Sequence, residues 1–221
     1  MNADAIIITL KLALLSSGIL FALGLPLAYW LATTRWRFSF IISALVSLPI
    51  VLPPTVVGFY LRLVLGPHSP LGQSFAAVFG YRLPFSFTGM LVGAVIFNMP
   101  FALTPFISSF AAVDRKLVEV SWCLGVSKMS TFFKIILPMA WPGILTGLIL
   151  SFAHALGEFG VVLMIGGNIP GVTQTVSTLI YDDVQAMNYS GANATAFALL
   201  SVSFITLCSV YALRRKAVSP C

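Results

Sequence analysis

The charged residues of this chain stand so far apart that they fence off long uncharged runs: Leu12–Thr34, Phe38–Leu61, Leu83–Val113, Ile135–Gly157, Phe159–Tyr181 and Val184–Leu213. A helix that crosses a bilayer needs about 20 consecutive, mostly apolar residues, and each run is long enough. The solvent for such runs is lipid. Only 8% of the 221 residues are charged and 59% are hydrophobic, whereas a soluble domain carries roughly 25% charge. A water-soluble domain of this composition would lack a polar surface, and a disordered chain would be far poorer in apolar residues. The net charge of +6 comes from twelve basic residues scattered between apolar blocks. They form no stripe that could follow a phosphate backbone, so nucleic acid is not an expected partner.

The fifth run is interrupted by Gly166, Gly167, Asn168, Pro170 and Gly171, then turns polar at Thr173, Gln174, Thr175, Ser177 and Thr178. Hydrocarbon does not tolerate such a segment facing lipid, so its first part joins the preceding span. The expectation is an all-α integral membrane protein, one transmembrane domain over residues 1–221, with five helices at about 6–33, 39–64, 87–111, 141–165 and 192–213. Lys and Arg are retained on the cytoplasmic side of such proteins. Five spans place Arg35 and Arg37, then Arg115, Lys116, Lys128 and Lys134, then Arg214, Arg215 and Lys216 on one side, nine of the twelve basic residues. Lys11, Arg62 and Arg82 fall opposite, with Asp4, Asp182 and Asp183. The N-terminus is therefore expected outside and the C-terminus in the cytoplasm.

The first apolar block does not read as a cleavable signal peptide, because an acid, Asp4, stands where a basic region belongs and the stretch is too long. Cys123, Cys208 and Cys221 fall in or near the cytoplasm, where a structural disulfide is not expected, and their spacing fits no zinc site.

Residues 112–140 bring charge, helix formers and breakers together. Asp114 can cap a helix whose Leu117, Val120, Ser121 and Leu124 share a face; Gly125 can end it, Ser127 can cap the next, and Pro138 would close or kink that one. A rigid helix, turn, helix is more than a linker requires, and it suits a surface that transmits force.

The register of this segment resembles a known pattern. Glu119, Gly125 six residues on, then Ile135-Ile136-Leu137-Pro138 after nine more residues resemble the EAA loop of the permease subunits of type I ABC importers, with Val120-Ser121 in place of the alanine pair. The resemblance extends to Leu48-Pro-Ile-Val-Leu-Pro-Pro-Thr-Val-Val-Gly58, Gly157-Glu-Phe-Gly160, Gly167-Asn-Ile-Pro-Gly171 and Thr173-Gln-Thr175, which are similar to the molybdate permease branch of that family. It covers nearly the whole chain. Sulfate and thiosulfate permeases resemble it closely but are generally longer, and tungstate is not separable from molybdate. The resemblance implies a permease core in the bacterial inner membrane, paired with a second copy of itself. It further implies two cytoplasmic ABC ATPases that carry ATP and Mg, and an extracytoplasmic oxyanion-binding protein. The coupling residues would be Glu119, fixing the turn by hydrogen bonding, Gly125, allowing close approach or a positive φ, and Ile135, Leu137 and Pro138, orienting the next span.

Within the spans, Pro49, Pro53 and Pro54 remove three backbone donors within two turns. Such a break survives only where protein or water satisfies the freed carbonyls, so the segment is either a pathway hinge or a buried kink. Pro53, Pro54, Thr55, Asn98 and Glu158 are the candidate pathway or gate residues. No span interior holds a stack of Arg or Lys, which suits an anion that must be released. His154 and Glu158 stand four apart at the end of the fourth span, where Glu158 either caps near a gate or serves proton coupling; no third residue completes a metal site. Thr173–Val184 reads as a short amphipathic helix folded back at the surface. No Gly-x-x-x-x-Gly-Lys-Ser/Thr occurs, so the chain itself is not expected to be an enzyme. A self-contained carrier using Glu158 is the alternative of a different class.

Overall fold

The computed structural model describes residues 3–218, and every regular element among them is helical. The helices are α1 (Ala3–Thr33), α2 (Ser39–Val51), α3 (Pro54–Val64), α4 (Pro70–Phe79) and α5 (Phe87–Ala111). They continue as α6 (Arg115–Cys123), α7 (Lys128–Leu156), α8 (Gly160–Gly166), α9 (Val176–Gln185) and α10 (Tyr189–Val218). Among the described residues, α1, α5, α7 and the Tyr189–Cys208 part of α10 are long and apolar enough to cross a membrane. A fifth crossing is available if α2 and α3 count as one. Cys123 and Cys208 are free and exposed, whereas Cys221 lies outside the described residues.

Three expectations need correction. The span expected at 39–64 is not one straight helix, since α2 and α3 meet at 117°. A residue before proline is pushed into extended backbone. Leu52 (ψ 140°) and Pro53 (ψ 137°) both adopt it, so α2 stops and Pro54 opens α3 at the position where a missing N–H costs nothing. Pro49, by contrast, stays inside α2.

The segment after Gly125 does not stop at Pro138; α7 runs through it without a break. A proline ring clashes with the carbonyl four residues back. Here that carbonyl belongs to Lys134, inside a wide π turn at Phe132–Ile136 where the Leu137 N–H reaches back to Phe132 O. The same arrangement recurs in α1, where the π turn Leu20–Gly24 precedes Pro26. Finally, the fourth span ends at Leu156 instead of continuing to 165, and α8 is a separate short helix.

α5 and α7 form the centre. In lipid, helices gain little from excluding water, so close approach of small residues and interhelical hydrogen bonds must hold them. A Cβ on Gly143 would stand 2.3 Å from Ser109 Cβ, and one on Gly147 would stand 2.6 Å from Ala102 O and 2.7 Å from Phe106. Ser109 Oγ donates to Ala140 O at 3.0 Å across the same interface. Around it Leu103, Phe106 and Ile144 are fully buried, with Leu20 and Ala28 of α1 and Val46 of α2 completing the cluster. α9 is tied to α1 because the Val176 N–H donates to Thr9 Oγ1 at 2.9 Å.

Gly147→Leu would overpack this interface and cost about 1–3 kcal/mol. Gly18, with nothing within 4 Å of an added Cβ, should accept alanine with a gain of up to about 1 kcal/mol. Thermal unfolding in detergent should place G147L below and G18A at or above the parent.

Candidate functional site

Midway along α5, Asn98 is fully buried and donates from Nδ2 to Ala94 O at 2.8 Å. Its Oδ1 faces His154 Nδ1 of α7 at 2.9 Å. The His154 ring stacks on Phe101 with centroids 3.9 Å apart and meets Phe97 at 5.5 Å. Glu158 is no longer on the helix of His154, because α7 has ended at Gly157. The turn still holds its Oε2 3.8 Å from His154 Nδ1, and its Oε1 accepts the Val161 N–H at 3.2 Å. That hydrogen bond spends part of the carboxylate on the first turn of α8.

The elbow between α2 and α3 closes against this cluster. A Cβ on Gly160 would stand 2.6 Å from Pro54 Cβ and 3.3 Å from Thr55 N, and one on Gly58 would stand 2.7 Å from Met164 Cβ. Val57 of α3, Phe97 of α5 and Val161 and Ile165 of α8 pack behind it. Pro53, Pro54 and Thr55 keep their other side exposed. All five candidate pathway residues thus belong to one region, in which Asn98 is reached through His154 and the elbow through Gly160. Neither of those intermediaries was among the candidates. Gly160 carried a signal, a glycine two residues from a buried carboxylate, whereas the Asn98–His154 bond joins residues 56 positions apart and leaves no local pattern.

The segment joining α5 to α7 is rigid in the expected way. Asp114 accepts the Lys116 N–H at 2.9 Å and Ser127 accepts the Ser130 N–H at 3.3 Å. Gly125 has φ +77°, and no atom of this chain lies within 4 Å of an added Cβ. Ser121, which replaces an alanine of the family pattern, is buried and shares a 2.8 Å hydrogen bond with the buried Thr131. That bond satisfies the hydroxyl and pins α6 to the start of α7. Glu119 differs from expectation: it makes no hydrogen bond or ion pair among the described residues. It instead lines a groove of ≈ 310 Å³ with Arg35, Arg115, Tyr29 and Trp122. Leu117, Val120, Trp122, Leu124, Met129 and Phe133 are all exposed around it.

The polar stretch after α8 bonds mostly to itself, with Asn168 Oδ1 left buried and without a partner among the described residues. Asp182 accepts from Asn168 Nδ2 at 2.8 and 2.7 Å and from Gln174 Nε2 at 2.9 Å. Thr173 Oγ1 donates to Gly166 O and accepts the Ile169 N–H. Thr175 and Thr178 form a capping box that starts α9.

Among solved structures, the methionine ABC transporter MetNI in its inward-facing conformation superposes with a TM-score of 0.76 at 18% identity, covering 99% of this chain and 97% of that one. A bacterial alginate ABC transporter in complex with a pentasaccharide-bound periplasmic protein gives 0.78 at 18% identity, covering 98% and 79%. The fold is therefore one that these ABC transporters contain. The pattern described as binding-protein-dependent transport system inner membrane component matches residues 22–219. Molybdenum transport permeases are similar over nearly the full length, that of Azotobacter vinelandii at 46% identity over 96% of this chain and 93% of the relative, that of Escherichia coli K12 at 32% over 92% and 90%. A probable sulfate permease of Chlorella vulgaris is 34% identical over 82% of this chain and 68% of its own length. The chain belongs to the family of binding-protein-dependent transport system inner membrane components, and is thus a non-catalytic, multi-pass permease subunit of the inner membrane.

Gly160→Val would drive a side chain into Pro54 and part α8 from the elbow. Uptake by the assembled transporter should fall at least tenfold, with smaller loss for Gly160→Ala, measured in membrane vesicles.

Proposed function

We propose that this chain, as a homodimer, forms the membrane path of an ATP-driven importer for molybdate, and for the near-identical tetrahedral dianion tungstate. The observation that carries the substrate is 46% identity joined to nearly complete mutual coverage. The relation to the Azotobacter vinelandii molybdenum permease runs through 96% of one chain and 93% of the other, whereas the sulfate relative extends well beyond the match. Identity alone does not separate the two, since the sulfate relative at 34% exceeds the Escherichia coli molybdenum permease at 32%.

In this reading residues 1–221 make a single permease domain with five crossings, α2 and α3 together counting as one. The N-terminus is outside and the tail cytoplasmic, which the clustering of basic residues supports. Two ABC ATPases bind ATP and Mg in the cytoplasm, and an extracytoplasmic binding protein delivers the oxyanion. α6 docks on the ATPase through its exposed apolar residues, with Glu119 offered for a partner bond it does not spend at home. Gly125 fixes the turn, and Ile135, Leu137 and Pro138 set the course of α7 at its π turn. ATP closes the ATPases, α6 follows, and the α5–α7 pair carries the motion to the elbow. There Pro53, Pro54 and Thr55 line the path that opens outward, Asn98 and Glu158 stand behind it at the gate, and hydrolysis restores the inward-open state. The bond between Glu158 and Val161 favours a positioning role over ion coupling.

In proteoliposomes holding permease, ATPases and binding protein, molybdate and tungstate should stimulate ATP hydrolysis and sulfate should not. Equal stimulation by sulfate would make it a sulfate permease, and uptake without any ATPase would make it a carrier. Gly125→Val, placed at φ +77°, strains the turn by about 1–2 kcal/mol. Its co-purification with the ATPases should drop about tenfold, and full retention with full transport would remove the coupling assignment.

A further inference from the structure

We infer that His154 is the side chain that touches the oxyanion midway along the path, and that Asn98, Phe101 and Glu158 hold its ring for that purpose. The inference rests on the reading of the chain as an oxyanion permease. Asn98 donates its amide to Ala94 O, so the Oδ1 turned toward the ring can only accept, and the proton of that hydrogen bond sits on His154 Nδ1. The stack on Phe101 fixes the plane of the ring. Nε2 remains without a hydrogen bond among the described residues. Of the three polar side chains, His154 alone reaches open space, 30% exposed against 3% for Glu158, with Asn98 fully buried.

The oxygens of a tetrahedral dianion accept hydrogen bonds and donate none. A neutral ring with its proton on Nδ1 would present a lone pair at Nε2 and repel such an ion. The ring that has taken a second proton from water presents an Nε2–H and a positive charge. Among the described residues Glu158 is the one ionisable group in contact with the ring, whose other neighbours are Phe97, Asn98 and Phe101 of α5. When ionised, its carboxylate 3.8 Å away supports the imidazolium and offsets part of its charge. The site can therefore donate to the anion without trapping it, which conduction requires. When the anion leaves, the second proton returns to water.

The test uses the assembled transporter with saturating binding protein. His154→Phe keeps the stack but removes both ring nitrogens, and maximal molybdate uptake should fall at least tenfold. His154→Gln keeps a donor and should recover to within about threefold of the parent. Wild-type uptake should decline as pH rises from 6 to 8.5, while H154Q stays flat, a difference that a packing role would not produce. Should neither variant assemble, equilibrium dialysis of molybdate against the wild-type permease–ATPase complex without binding protein supplies the same answer: bound molybdate falls with rising pH. Unchanged uptake in H154F, parallel pH profiles, or pH-independent dialysis would overturn the inference. A wild-type transporter that takes up no molybdate at any pH would instead overturn the function proposed for the chain.

Discussion

The close approach of α5 and α7 is the constraint on which the rest of the molecule depends. Water exclusion does not drive helices together in lipid, so the pair is held by shape and by buried hydrogen bonds. Gly143 and Gly147 remove the side chains that would otherwise meet Ser109, Ala102 and Phe106, and Ser109 donates across the gap to Ala140. Farther along, Asn98 and His154 close the same interface with a second polar bond. Because the contact is fastened at two separate points, the two helices form one rod. One end carries the short helix α6, and midway along α5 lies the region where the elbow, Glu158 and His154 meet.

The second constraint is that backbone and side-chain polar groups find partners inside the bundle. Each irregularity obeys it in a specific way. The π turns before Pro26 and Pro138 let two prolines enter helices that cross the membrane. The Leu52–Pro53 break turns the chain by 117° and seats Pro54 on Gly160, so the freed backbone lies at a packed interface. Asp182 gathers the side-chain N–H groups of Asn168 and Gln174, so that of this polar cluster only Asn168 Oδ1 stays buried without a partner among the described residues.

Much of this was legible before any coordinates. The spacing of charges located α1, α5 and the apolar part of α10, and the capping residues Asp114, Ser127 and Gly125 act as their types imply. The parts that were not legible share a cause, which is that they depend on pairings between distant residues or on backbone geometry that composition does not encode. Periodicity placed Glu158 on the helix of His154, but Gly157 ends that helix and leaves the two groups joined only by the turn. Proline counting gave Pro53 and Pro138 the same weight, yet one makes an elbow and the other is absorbed by a π turn, because only Pro53 is followed by a second proline. Ser121 read as a departure from a family pattern until Thr131, ten residues on, supplied its partner. The glycines of Gly143-x-x-x-Gly147, like Gly160, do carry a signal, since small residues four apart in an apolar helix mark a helix interface.

The central claim is that motion of α6 reaches the elbow through the α5–α7 rod. The most direct measurement is the rate at which a membrane-impermeant maleimide labels Thr55→Cys in the full complex, with Cys123, Cys208 and Cys221 replaced by serine, before and after ATP is added. The account predicts that ATP changes this rate severalfold in the complex with Gly125 intact and leaves it unchanged in the Gly125→Val complex. The same ATP-dependent change in both, or none in either, would contradict it.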